Sequence, residues 1–104
     1  CQIWLASDAI TGANASDVGI YQTAGNGGAV LDADFFATDV DISSATAFTN
    51  VILEATATDI SKCEKALWDA YGLSADSKID YDICVTVNDV TAAGTISMRV
   101  VYAI

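Results

Sequence analysis

Histidine is missing from this chain altogether, which excludes Cys–His catalysis and the usual imidazole metal site. Its three cysteines, Cys1, Cys63 and Cys84, are odd in number and widely spaced. They make no disulfide framework, and without a CxxC pair there is no zinc-ribbon or dithiol redox motif. Cys63 and Cys84 read as small, partly buried residues. Basic residues are equally scarce: Lys62, Lys65, Lys78 and Arg99 stand against fourteen acids, for a net charge of −10. A surface of that sign is repelled by phosphate backbones and anionic lipid, so neither nucleic acid nor membrane is expected as a partner. The same charge keeps a β-rich chain soluble. Nowhere do about 18 apolar residues run unbroken, so no membrane-spanning helix is predicted. No basic n-region with an apolar h-region opens the chain.

What the chain does have is period-two alternation. In Ile79–Val87 the odd positions are large and apolar, while Asp80, Asp82, Cys84 and Thr86 take the even ones. After 88–94 the alternation resumes with Ile96, Met98, Val100, Tyr102 and Ile104 as the apolar set. Two strands with one apolar face each, joined by a short turn, predict a hairpin forming half of a sandwich. A chain of 104 residues is long enough for one domain, residues 1–104, with a single core. The chain starts at Cys1 and runs at once into Gln2-Ile3-Trp4-Leu5-Ala6-Ser7, which reads as mid-strand, with Ile3 and Leu5 on one face and Trp4 on the other. An upstream N-terminal segment is therefore expected. A lipid-anchored Cys1 would instead call for a polar Ser/Gly tether before the fold.

Further along, 8–17 is a small-residue loop, 18–22 a short strand, and 23–28 a turn whose Asn26-Gly27 favours a hairpin because both residues tolerate positive φ. Gly25 and Gly28 flank it, but no GxGxxG and no Lys-Ser/Thr ending makes it a phosphate cradle. Asp32 and Asp34 bracket Ala33 ahead of Phe35-Phe36, the pattern of a turn or single helical turn that plants an aromatic anchor. Asp39 and Asp41 alternate with Val40 and Ile42 as the wet side of a strand. After a linker over 43–47, residues 48–57 read as a strand. Ser61-Lys62-Cys63-Glu64 is a capping box opening a helix that runs to about Tyr71 and stops at Gly72, with Cys63, Ala66, Leu67 and Ala70 inward. So short a helix is not stable alone and must close one end or flank of the sandwich. The fold class expected is mainly β: an antiparallel, jelly-roll-like sandwich with one short α-helix near 61–71.

No catalytic constellation emerges. Asp80 and Asp82 lie on one strand face, roughly 7 Å apart by strand rise, and alternation with Ile79, Tyr81 and Ile83 accounts for them as the wet side. Asp32, Asp34, Asp39 and Asp41 are dense enough to raise calcium, which takes six to eight oxygens. The EF-hand spacing, with its central Gly and terminal Glu, is absent. Solvated or turn-capping carboxylates are the preferred reading; no metal and no cofactor is assigned, and these four remain the cation candidates. The aromatics Trp4, Phe35, Phe36, Phe48 and Trp68 exceed what a small two-layer core must contain, so one or two are expected in subunit contacts, with Trp4, Phe35, Phe36 and Trp68 as interface candidates; the alternative places all five in the core.

Several phrases resemble small head proteins of tailed bacteriophages. They are Asp17-Val18-Gly19-Ile20-Tyr21, the run from Gly28 to Ala37 followed by Val40 to Ala45, the run from Glu64 to Asp76, the strand Tyr81 to Val87 and the closing Thr91 to Ser97. The resemblance covers most of the chain from Asp17 onward. It implies a non-enzymatic structural virion protein, a capsid decoration or cement protein on the outer surface of the head shell. Its implied partners are the major capsid protein and symmetric copies of itself, as a homo-oligomer such as a trimer. Such proteins usually carry an extended N-terminal segment before the first strand. The alternative is a secreted or cell-surface β-sandwich adhesin or carbohydrate-binding module, which would need calcium or an exposed aromatic platform.

Overall fold

Alternation decides the first strand, β1 (Gln2–Ser7), where Ile3, Leu5 and Ser7 are buried while Trp4 and Ala6 turn to the other face. The computed structural model describes residues 2–51, 65–88 and 93–103. Among these residues five further strands follow: β2 (Ser16–Gln22), β3 (Val30–Val40), β4 (Thr46–Asn50), β5 (Tyr81–Val87) and β6 (Ile96–Val101). They form two three-stranded antiparallel sheets, ordered β4-β1-β6 and β3-β2-β5. One core lies between them, with Ile3 and Leu5 from the first sheet and Val18, Ile20, Phe35, Phe36, Ala37 and Val40 from the second. The fold is a mainly β sandwich, as the alternation predicts.

The loop after β1 also belongs to the core. Ile10 and Ala13 are buried, and their backbone is paired: the Ile10 amide donates to the Ile42 carbonyl at 3.1 Å and the Ile42 amide to the Ala13 carbonyl at 3.0 Å. A loop inside a core needs such partners, because an unpaired buried backbone group is costly.

The expected hairpin of Ile79–Ile104 does not form. Both strands exist, but β5 pairs with β2 from Tyr81↔Gln22 to Val87↔Ser16, and β6 pairs with β1 from Ile96↔Ser7 to Val101↔Gln2. Their connection passes from one sheet to the other. Alternation fixes which face of a strand is buried and leaves its neighbour open. Among the described strands only β2 and β3 are joined as a hairpin, around a single 3-10 turn at Ala24–Asn26. Asn26-Gly27 therefore marks the turn, though within a longer loop than the two-residue kind.

The turn expected at 32–36 is strand instead, since β3 continues through it. Its irregularity takes another form. Val18 pairs with Ala37 and Ile20 with Asp32, so two steps along β2 match five along β3. The three extra residues make an enlarged bulge, which breaks the alternation and lets Phe35, Phe36 and Ala37 all be buried in succession. Gly19 makes room for it: a Cβ there would lie 2.0 Å from the Asp32 carbonyl oxygen and 2.3 Å from the Ala33 carbonyl carbon.

The helix is also shorter than expected. α1 (Leu67–Ala70) is a single turn capped by an extended Ala66, with Lys65 in a bend, so the helix does not reach back to Ser61. The capping box and Cys63 lie outside the described residues. Its end is as predicted: Gly72 has φ 94°, its amide donates to the Asp69 carbonyl at 3.0 Å, and Leu73 donates to Trp68 at 2.9 Å. These two bonds are the Schellman arrangement, which a glycine permits. Leu67, Ala70 and Tyr71 pack against the core, and the Tyr71 ring meets Phe35 edge-on at 6.0 Å.

Candidate functional site

Burial sorts the aromatic residues. Phe35 and Phe36 are each 5% exposed and stack edge-to-face with centroids 4.9 Å apart. The bulge in β3 turns both inward, so they serve the core and not a contact surface. Trp68 is half-buried on α1. That leaves Trp4 and Phe48 on the outer face of the β4-β1-β6 sheet.

The registers explain how this face is built. Trp4 stands opposite Arg99 of β6 and Asn50 of β4, and Phe48 projects from β4 beside it. The Arg99 guanidinium carbon lies 5.9 Å from the Trp4 ring centroid and 5.7 Å from that of Phe48. One cation therefore spans two aromatic rings across the middle strand, within the range of cation–π attraction. The Trp4 indole N–H donates to the Gln2 side-chain oxygen at 3.0 Å, which fixes the ring further. Phe48 remains 51% exposed and Val101, on the same face, 46%. The result is an apolar patch centred on an arginine, on a chain that otherwise carries fourteen acids.

The acidic candidates are spread out. Asp32 and Asp34 sit on β3 at the bulge, Asp39 near its end with φ 56°, and Asp41 just beyond. Among the described residues no three carboxylates or thiols converge on a point where a metal ion would fit. Asp41 accepts from the Ser43 amide at 2.9 Å, and the Ser43 hydroxyl and then that amide hold its carboxyl below the ordinary value. It borders a cleft of about 180 Å³ lined by Leu5, Val40, Asp41, Ile42, Thr46, Thr49 and Val51. Asp41 is the lone ionisable group of that lining, and the remainder is apolar or hydroxyl.

A carboxylate outside these four does more. Asp17, on β2, accepts through Oδ1 from the Thr38 hydroxyl at 3.1 Å and the Asp39 amide at 3.2 Å, and through Oδ2 from the Asn88 side chain at 2.8 Å. It thereby ties the ends of β3 and β5 to the strand between them. On the same outer face Tyr21 and Thr86 join hydroxyl to hydroxyl. Cys84 lies between Asp82 and Thr86 and is half-buried; burial first, and the neighbouring Asp82 charge second, push its thiol up from the ordinary value. A thiol held protonated is a poor nucleophile.

The architecture thus defines a small two-sheet β protein whose most distinctive surface is an aromatic and cationic patch. The chain matches no protein-family model, no curated protein and no solved structure.

Proposed function

We propose that this chain is a structural virion protein, a capsid decoration or cement protein that binds and stabilises the outside of a tailed-phage head shell. It acts without catalysis, in symmetric copies, with the major capsid protein as its partner. The observation that carries the reading is the patch of Trp4, Arg99 and Phe48 on the outer face of the β4-β1-β6 sheet. Tryptophan and arginine are the residue types most often found to dominate protein–protein contacts, because each combines a large desolvated area with directional polar groups. A shell-binding protein needs such complementary surface and no pocket. The resemblance of the phrases after Asp17 to phage head proteins supports the same reading. A carbohydrate-binding module would require an open aromatic face, and here the guanidinium occupies the space over both rings.

The test is co-sedimentation of the purified protein with undecorated phage heads. Wild-type protein should pellet with the heads to a fixed ratio. Arg99→Glu should weaken binding by about 30-fold or more, as expected when a central contact worth roughly 2 kcal/mol is lost. Unaltered binding by that variant would overturn the assignment of the patch, and no binding by the wild type would overturn the function.

A further inference from the structure

The patch lies on a sheet face; the edge of the same sheet carries a separate feature. β6 is hydrogen-bonded to β1 on one side, and among the described residues no strand pairs with its other side. Exposed strand edges invite pairing with another chain, and proteins block this with bulges, short strands and charge. The other three outer strands show these devices. β3 is bulged and carries Asp32, Asp34 and Asp39; β4 has five residues and a register shift against β1; β5 carries Asp82, with Asp80 just ahead of it. β6 has neither a bulge nor an acid. It stays in unbroken register with β1 from Gln2↔Val101 to Ser7↔Ile96, its one charge is Arg99, and residues 93–103 contain no acid. Three large apolar side chains are left exposed here: Met98 at 39%, Val101 at 46% and Tyr102 at 70%.

Charge selects the occupant. At a net charge of −10, two copies of this chain repel wherever their acids meet. The β6 edge is the place where that repulsion is least and where apolar area is gained. We infer that β6 is a self-association edge, at which two copies pair β6 to β6, antiparallel, about a twofold axis. The two β4-β1-β6 sheets then become one continuous sheet. This specifies a surface for the self-association contained in the proposed function, and it rests on that reading only in this respect.

The register follows from the side chains. Directly opposed residues of an antiparallel pair point to the same face, and Ile96, Met98 and Val100 share the core face of β6, opposite Ser7, Leu5 and Ile3. Met98 opposite Met98 of the second copy sets Ile96 against Val100 and Arg99 against Ser97. A register that set Met98 against Val100 would put Arg99 against Arg99, with like charges opposed. The first register is the one assigned.

Sedimentation equilibrium and oxidative cross-linking of the free protein test this without any phage particle, so its failure and the failure of shell binding are separately visible. The wild-type protein should reach twice its 10.8 kDa chain mass as concentration rises. Met98→Cys should form a disulfide-linked dimer, mapped by mass spectrometry to position 98 in both copies. The Cα atoms of an opposed pair lie about 4.5 to 5.5 Å apart, inside disulfide range. Arg99→Cys should stay unlinked, because two strand rises combined with one strand spacing separate its two copies by roughly 8 Å, beyond the ~7 Å limit. Met98→Lys should sediment as monomer with an unchanged far-UV spectrum; should it not fold, the two cysteine variants still decide. A 10.8 kDa species at every concentration, a trimer, equal cross-linking of both cysteine variants or a folded Met98→Lys dimer would each overturn the inference.

Discussion

Gly19→Ala is the substitution from which the fold has most to lose for its size. The added methyl would lie 2.0 Å from the Asp32 carbonyl oxygen, 2.3 Å from the Ala33 carbonyl carbon and 2.4 Å from the Ala33 oxygen. All three obstacles are backbone, so no side chain can rotate away, and relief requires the β3 bulge to open. That bulge is what turns Phe35 and Phe36 into the core, so opening it loosens their packing as well. Overpacking typically costs about 1 to 3 kcal/mol, and with backbone as the obstacle the upper end, about 3 kcal/mol, applies. For a domain of this size each kcal/mol lowers the melting temperature by roughly 4 to 8 °C, which gives a drop of at least ~12 °C. Gly25→Ala is the internal control, since a Cβ there meets nothing within 4 Å; it should be neutral or slightly stabilising through the unfolded chain. Thermal melts of both variants by circular dichroism decide the matter. A Gly19→Ala protein that melts within 3 °C or so of wild type, against that ~12 °C expectation, would refute the assigned packing of β2 against the bulge.

Two further predictions concern polar groups. Asp17→Ala removes the acceptor of three hydrogen bonds that tie β3 and β5 to β2; because bonds to a charged group contribute about 1.5 to 3 kcal/mol and do not add, a loss of about 2 kcal/mol in urea unfolding is expected, and a loss below ~0.5 kcal/mol would show that water replaces them. Alkylation of Cys84, followed by peptide mass spectrometry, should have its pH midpoint above that of a free thiol, and Asp82→Asn should lower the midpoint only part of the way, because burial is the larger cause. The folded thiol holds its proton more tightly than the unfolded one, so its contribution to stability is present below the unfolded pKa and is lost as pH rises through the folded value. A midpoint at or below that of a free thiol would contradict the burial.

The strands were legible where one face of each is apolar. Gln2–Ser7, Tyr81–Val87 and Ile96–Val101 follow directly from alternation, and Gly72 marks the end of the helix because only a residue at ease with positive φ completes that cap. Strand pairing was not legible, because alternation says nothing about which apolar face lies next door; β5 and β6 adjoin in sequence and still part into different sheets. In β3 the bulge destroyed the signal itself. Ala33-Asp34-Phe35-Phe36 has no period of two, and the residue that permits its backbone to crowd β2, Gly19, stands fourteen positions before Ala33. The Trp4 patch was half-visible: Trp4 is plainly on the polar side of β1, as is Arg99 on β6, but only the register Trp4↔Arg99 brings them together. Asp17 looked like a loop residue because its three partners, at 38, 39 and 88, come from distant segments.

The central claim is that this protein works as a surface-bound structural component of a phage head. Cryo-electron microscopy of intact particles from the native source tests it most directly. The expected result is stoichiometric, symmetry-related copies of the two-sheet sandwich on the outer shell, with the Trp4, Arg99 and Phe48 face turned toward the major capsid protein. Particles without it, while the protein is recovered free or attached to lipid, would contradict the claim.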